Sequence, residues 1–333
     1  MIRLLPRDFW TRNETLVAGV IVLFCIIATI SDPRFFTITT VSDLLRASIV
    51  VGILAVGAML VLISGGIDVS FTAVAVFAMY SATVLALGIW PGMPWPLIFV
   101  ISIVFGACLG ALNGFFIAFL QLPTLIVTLG TLSVFRGFLL TFIGSQRISD
   151  LPPSMRDFSR GVLARGTTEA GNFYSIPWSA LALLFVVVLT WVILKKTMLG
   201  RSIYAIGGSV ESARRIGIDV RRTQFVVYVY VGALAGLAGI IHGSVGRMAD
   251  PFSLVGLELS VIAAVVLGGA RLIGGYGTLI GTILGVALIV IVQNSLIVIG
   301  IPTTWQSVTI GLLILLGTGL PAYRAKRAAA RAG

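Results

Sequence analysis

His242, Gly243 and Ser244 bring a general base close to a hydroxyl nucleophile, the pairing that hydrolysis through an acyl intermediate needs. His242 is the only histidine in the chain. Residues this close on a helix point in different directions, so the two side chains do not meet. A histidine near the outer end of a helix is the ordinary reading. Neither H-E-x-x-H nor a carboxylate cluster offers a metal site. Despite 38 glycines there is no G-x-x-x-x-G-K-[ST], so nothing here holds the phosphates of ATP. Cys25 and Cys108 both lie in apolar runs and lack metal-ligand spacing. These residues propose no catalytic site, no cofactor and no metal.

The chemistry that remains belongs to polar groups set among apolar ones. Asp68 follows Gly65-Gly66 at a glycine-broken helix start. Its carboxylate caps the new helix or faces a gate, and capping or structural pairing is favoured. Asp43 and Arg46 stand three apart, as for a local ion pair. Arg136 is deeper and has no partner nearby in sequence. A charge at the bilayer centre costs about 2.5–3.5 kcal/mol on insertion scales, so Arg136 faces protein or water. Structural pairing and a place on a translocation path both stay open for it. Asn113, Gln293 and Asn294 suit interhelical hydrogen bonds or a pore. The pore or gate candidates are therefore Gly65, Gly66, Asp68, Asn113, Arg136, Gln293 and Asn294. No Glu or Lys is expected deep in a span, which counts against an ion-coupled secondary transporter, a class that places titratable groups at mid-membrane.

The elements that must position these groups are transmembrane helices. Hydrophobic residues make up 58% of the 333 and charged ones 11%, with mean hydropathy +1.09. Soluble domains run roughly 45–50% apolar and about 25% charged. A span takes about 20 apolar residues. The runs predict an all-α polytopic membrane protein of about ten helices, some short or broken, near 15–31, 41–63, 69–89, 96–120, 124–143, 177–194, 224–246, 257–270, 277–299 and 304–320. The first apolar run, Leu16 to Ile30, lacks an A-x-A-like cleavage site and precedes Asp32-Pro33, so a retained span is expected rather than a signal peptide.

With both termini inside, fifteen Lys and Arg fall on the inner side and six on the outer, while Arg46 and Arg136 lie within spans. That bias sets both ends in the cytoplasm. The inner set includes Arg3, Arg7 and Arg12 near the start and Arg324, Lys326, Arg327 and Arg331 near the end. The net charge of +11 thus follows topology, and nucleic acid is not an expected partner. The segment 144–176 lies outside, as a loop with a short surface helix where an extracytoplasmic partner would touch. Small residues four apart let helices approach closely in lipid. Gly106-Gly110-Gly114, Gly232-Gly236 and Gly277-Gly281-Gly285 have that spacing. Packing inside the subunit is the plain reading; sliding surfaces or a dimer seam are the sharper one. Glycine pairs at 65–66, 268–269 and 274–275 mark helix breaks, and GGIDVS and GGYGT both begin helices on the cytoplasmic side.

The hydrophilic stretch 195–223 holds seven of the 23 basic residues and is long enough for a helix that a soluble partner grips. Together with LISGGIDVSFTAVAVF (62–77), LPTLIVTLGTLSVFRG (122–137) and AAVVLGGARLIGGYGTLIGTILG (263–285), its GRSIYAIGGSVESARRIGIDV (200–220) resembles permease subunits of the bacterial monosaccharide, ribose-type, ATP-binding cassette importers. The blocks come in the family's order, and the likeness covers nearly the whole chain. TLGTLSVFRG, ISDLPPSMRDFS and IPTTWQ look nearer to permeases of autoinducer-2 and rhamnose systems. Phe71-Thr72 and Arg271 depart from the family's pattern. The resemblance implies a single transmembrane permease domain over 1–333 in the bacterial inner membrane, importing a monosaccharide or sugar-like solute. It implies a second permease copy or paralogue, a separate ATPase subunit and a periplasmic sugar-binding protein. Ser209 to Asp219 would be the coupling helix, with Ser209, Glu211, Ser212, Arg214, Arg215, Gly217 and Asp219 as its contact residues. An ion-coupled secondary transporter is the alternative.

Overall fold

A computed structural model describes residues 13–31, 35, 37–167 and 173–298, with 302, 305–306, 308–312 and 315 beyond them. Arg3, Arg7, Arg12, Asp32, Pro33, Arg34 and the four basic residues from Arg324 onward lie outside the described residues, as does most of the expected span at 304–320.

In lipid every backbone amide must be satisfied within its own segment, so apolar runs of this length become helices. In order they are α1 (Asn13–Ser31), α2 (Ile38–Ile63), α3 (Phe71–Ile89), α4 (Trp95–Gly114) and α5 (Thr124–Phe138). α4 and α5 each end in a five-residue π turn, Phe115–Phe119 and Leu139–Ile143. Then come α6 (Pro153–Arg160), the antiparallel strands β1 (Val162–Thr167) and β2 (Phe173–Pro177), and α7 (Ser179–Lys196). α8 (Met198–Gly208), α9 (Val210–Arg215), α10 (Val220–Gly246), α11 (Leu257–Leu267) and α12 (Leu279–Val298) complete the order. Seven helices among the described residues are long and apolar enough to cross a membrane, and Val17–Ile30 and Leu257–Leu267 are shorter apolar helices. The protein is an all-α polytopic membrane protein, and the first nine expected spans coincide with helices. The expected surface helix in 144–176 is α6; the hairpin β1–β2 beside it was not anticipated.

α2 and α3 form the centre, with 78% and 72% of their apolar windows buried, whereas α7 has 22% and turns Leu181, Leu184 and Phe185 outward. α10 crosses this centre against α4, and glycine makes the crossing close. A Cβ on Gly106 would stand 2.8 Å from Gly236 N, and one on Gly110 would stand 2.9 Å from Gly232 Cα. Ser102 Oγ donates to Gly236 O across the same seam at 2.8 Å. Gly281 and Gly285 meet Gly268 and Ala264 in the same way between α12 and α11. These stripes are packing surfaces inside the subunit.

Connections sort into two ends. At one, Ile148 pairs with Ala249, Arg147 binds Asp250 at 2.8 Å, Tyr80 Oη donates to Gln146 O at 2.9 Å, and Ser154 Oγ donates to Met93 O at 2.6 Å. Asp250 also accepts from Phe252 N, and this bond together with Arg147 holds its carboxyl below the usual range. At the other end lie 64–70, 197–219 and 268–278, with the basic stretch. Arg46 does not bind Asp43: its Nη2 donates to Ser175 Oγ on β2 at 2.7 Å, and no ion pair joins it to Asp43 among the described residues. The i, i+3 rule sees only the helix's own neighbours, and the hairpin supplied a nearer partner.

Candidate functional site

At the basic end, Ser209 accepts from Ser212 N at 3.2 Å and starts α9. Gly217, at φ 84°, stops it: Gly217 N donates to Arg214 O and Ile218 N to Ala213 O, both at 3.0 Å. That is the glycine-capped helix end in which two backward bonds satisfy the last carbonyls. Asp219 caps α10, accepting from Arg222 N at 3.0 Å. Ala213 is the inward anchor, buried with Ile206 and Val220. Everything else on α9 points out. Val210 and Ile216 are exposed, Glu211 and Arg215 pair with each other, and Arg214 has no ion pair among the described residues. Val210, Arg214 and Ile216 are thus contact groups that the subunit itself leaves unused.

α9 hangs from α8, whose end is wedged into the two helix breaks. Gly207 packs on Ile63 O at the end of α2, and a Cβ there would stand 2.5 Å from Gly275 N. Gly275 N donates to Ile63 O at 2.9 Å, and Tyr204 Oη donates to Gly277 O at 2.7 Å. Gly65, Gly274 and Gly275 all have positive φ, 86°, 90° and 75°. Backbone thus meets backbone from three segments far apart in sequence, with no side chain between to absorb a movement.

Gly65 and Gly66 end α2 by the same two-bond cap, through Leu62 O and Val61 O, both at 3.0 Å. Beyond them Asp68 Oδ1 accepts from Ser70 N and from Ser70 Oγ, both at 2.7 Å, which fixes the turn into α3. Asn113 Nδ2 donates to Ser70 Oγ at 2.8 Å. Thr124 and Thr128 of α5 hold Ile67 through its N–H and its carbonyl. Gly66, Asp68, Ser70 and Asn113 are all buried here. Gln293 and Asn294 lie elsewhere, half-buried on α12. Asn294 Nδ2 donates to Val290 O of its own helix at 2.8 Å, so it joins no second helix through that bond.

Arg136 lines a narrow cleft with Thr72, Ala73, Val76, Leu139, Pro251, Ser253 and Val255. It has no ion pair among the described residues. Thr72 Oγ1 donates to Glu258 at the start of α11, and both are buried. From sequence, no Glu is expected deep in a span. Glu258 stands one residue inside an apolar run, which reads as a helix end at the surface. The chain instead turns in at Pro251–Gly256 and begins the short α11 against α3. Nothing local to either residue announces a contact 186 residues apart. His242 and Ser244 do not meet: no hydrogen bond joins them, and Ser244 Oγ is buried without a partner.

A family model described as branched-chain amino acid transport system / permease component matches residues 40–317. The chain is 30% identical over 315 residues to the autoinducer 2 import system permease protein LsrC of Photorhabdus luminescens, covering 95% of this chain and 90% of that protein. The protein of that name from Enterobacter sp. (strain 638) is 33% identical over 307 residues, covering 91% and 85%. The one from Escherichia coli (strain K12 / DH10B) is 31% identical over 304 residues, again covering 91% and 85%. No solved structure matches the chain.

Proposed function

Since the chain belongs to the branched-chain amino acid transport system / permease component family, we propose that it is the membrane subunit of an ATP-driven importer of a sugar-like solute. The relatives at 30–33% identity are named as importing autoinducer 2, which sets the solute class we adopt. ATP hydrolysis belongs to a separate subunit that seats α9, a periplasmic binding protein delivers the solute, and a second permease completes the pore in the inner membrane. The observation that carries this reading is α9 itself. It is short and exposed, with free contact groups, and α8 ties it to both helix breaks. Force applied at α9 reaches Gly65 and Gly275 without passing through lipid. The Arg136 cleft is the part of the path we assign to this subunit. Transport into proteoliposomes tests the reading. Uptake of autoinducer 2 should require ATP, the ATPase and the binding protein. Uptake driven by an ion gradient alone would sink it, and would turn attention to Glu258, the buried carboxylate that favours the ion-coupled alternative.

Orientation has its own test. With Cys25 and Cys108 replaced, a cysteine at Ser159 should react with an impermeant maleimide from the periplasm, and one at Ser209 only from the cytoplasm. Periplasmic labelling at Ser209 would invert the topology drawn from the basic residues.

A further inference from the structure

The end of the molecule opposite α9 holds a cavity of about 210 Å3 lined by Arg46, Phe158, Ser159, Ser179, Val245 and Arg247, among others. We propose that it is an oxyanion site for a phosphate group, held by Arg46, Arg247 and the start of α7. Neither arginine has a carboxylate partner among the described residues. The nearby acids are spent elsewhere: Asp157 pairs with Arg160, Asp150 with Arg156 and Asp250 with Arg147, while Asp43 is not in the lining. Two guanidinium groups therefore share one cavity without a counter-ion, an arrangement that favours an anion with several acceptor oxygens.

Two further features point the same way. α7 begins in the wall of this cavity with no side-chain cap; Trp178 N donates to Gly161 O and Leu181 N to Trp178 O, which leaves the N–H groups of Ser179 and Ala180 at the positive end of its dipole. Ser179, the first residue of α7, is 2% exposed, and its hydroxyl has no hydrogen-bond partner. A buried unmade hydrogen bond costs about 1–3 kcal/mol; the hydroxyl is enclosed, and a χ1 rotation toward the cavity is what would bring it to an oxyanion there. Arg247 adds a cost of its own. It sits at φ 54° past the end of α10, where Gly217 and Gly65 fill the matching place after α9 and α2. Holding a long side chain in that conformation costs about 1–2 kcal/mol against glycine, so its guanidinium is kept there at a stability cost.

Location selects the source of the phosphate. Trp178, between the lining residues Pro177 and Ser179, is exposed, and α7 below it turns Leu181, Leu184 and Phe185 outward. Exposed aromatics above an apolar face mark the membrane–water boundary. The phosphodiester of an anionic phospholipid lies at that level, and its acyl chains would run down α7.

The test is native mass spectrometry of the purified permease titrated with phosphatidylglycerol or phosphatidylcholine. Wild type should hold one phosphatidylglycerol at least tenfold more tightly than phosphatidylcholine. Arg46→Ala/Arg247→Ala should lose that preference, Ser179→Ala should weaken it several-fold, and Arg160→Ala should leave it unchanged. Arg46 also holds the hairpin through Ser175, so Arg46→Lys/Arg247→Lys serves as the folded control and should keep most of the preference. Inorganic phosphate that displaces no lipid, yet protects the wild type but not the double alanine variant from heat, would assign the same site to free phosphate. Equal lipid affinity in wild type and the double alanine variant, with no phosphate effect in either, overturns the proposal. If that variant instead lost only stimulation by a binding protein, the arginines would be a protein contact and not an oxyanion site.

Discussion

Gly232→Leu should leave almost no folded protein in the membrane, whereas Gly130→Leu should accumulate near the wild-type level. Both are helical glycines in expected spans; the spacing to Gly236 sets Gly232 apart, but the sequence does not say what either glycine meets. Their surroundings do. A Cβ on Gly232 would overlap Gly106 O and stand 2.8 Å from Gly110 Cα and 2.9 Å from Gly110 N. These are backbone atoms, so no rotamer change relieves the clash. α4 and α10 would have to separate, opening the Gly106, Gly110 and Gly236 contacts and the Ser102–Gly236 bond with them. Overpacking a core typically costs about 1–3 kcal/mol where side chains can shift, and more where they cannot. Against a total stability of about 5–15 kcal/mol, that is a large share. A Cβ on Gly130 meets nothing within 4 Å. The yield of monodisperse protein after detergent extraction, at matched expression, measures the difference. Equal yields would mean that the α4–α10 seam is not as close as described.

The same pair shows how far the sequence could be read. The four-residue spacing of the glycines declares that two backbones approach, and composition declares that the helices cross a membrane. Neither names the partner, because Gly106 and Gly232 are joined only by the fold. Spans were legible because hydropathy is a property of each segment alone. α9 was legible for a similar reason: Ser209, Gly217 and Asp219 are start and stop signals that act within a few residues. Groups whose partner comes from a distant element were not. Arg46 reaches β2, Glu258 reaches Thr72, and Gly207 fits between Ile63 and Gly275. The hairpin went unread because its strands are short and carry Gly166 and charged Arg165, which read as loop.

Changing Arg214 and Arg215 to Glu together with Gly217→Ile should abolish coupled transport while leaving the permease folded. The three positions are exposed and lie outside the spans, and only Ala213 ties α9 to the body by burial. Two distinct damages are combined. Isoleucine at φ 84° costs about 1–2 kcal/mol or more, so the turn that sends Ile218 back onto Ala213 is lost and the helix end shifts. Glutamate at 215 then stands one helical turn from Glu211, and repulsion replaces their ion pair. Any acidic groove that received Arg214 would now meet a carboxylate. Like-charge contact across an interface costs several kcal/mol, and each ~1.4 kcal/mol is a tenfold loss of affinity. α10 should be spared, because its own cap, Asp219 on Arg222 N, is untouched. Reconstitution with the ATPase and the binding protein separates the steps. Extraction yield should match wild type, association with the ATPase should fall at least tenfold, and solute uptake should vanish. A variant that binds the ATPase and transports like wild type would reduce α9 to a topological anchor. The backbone junction at Gly207 would then transmit nothing, because no force would enter it from the cytoplasm.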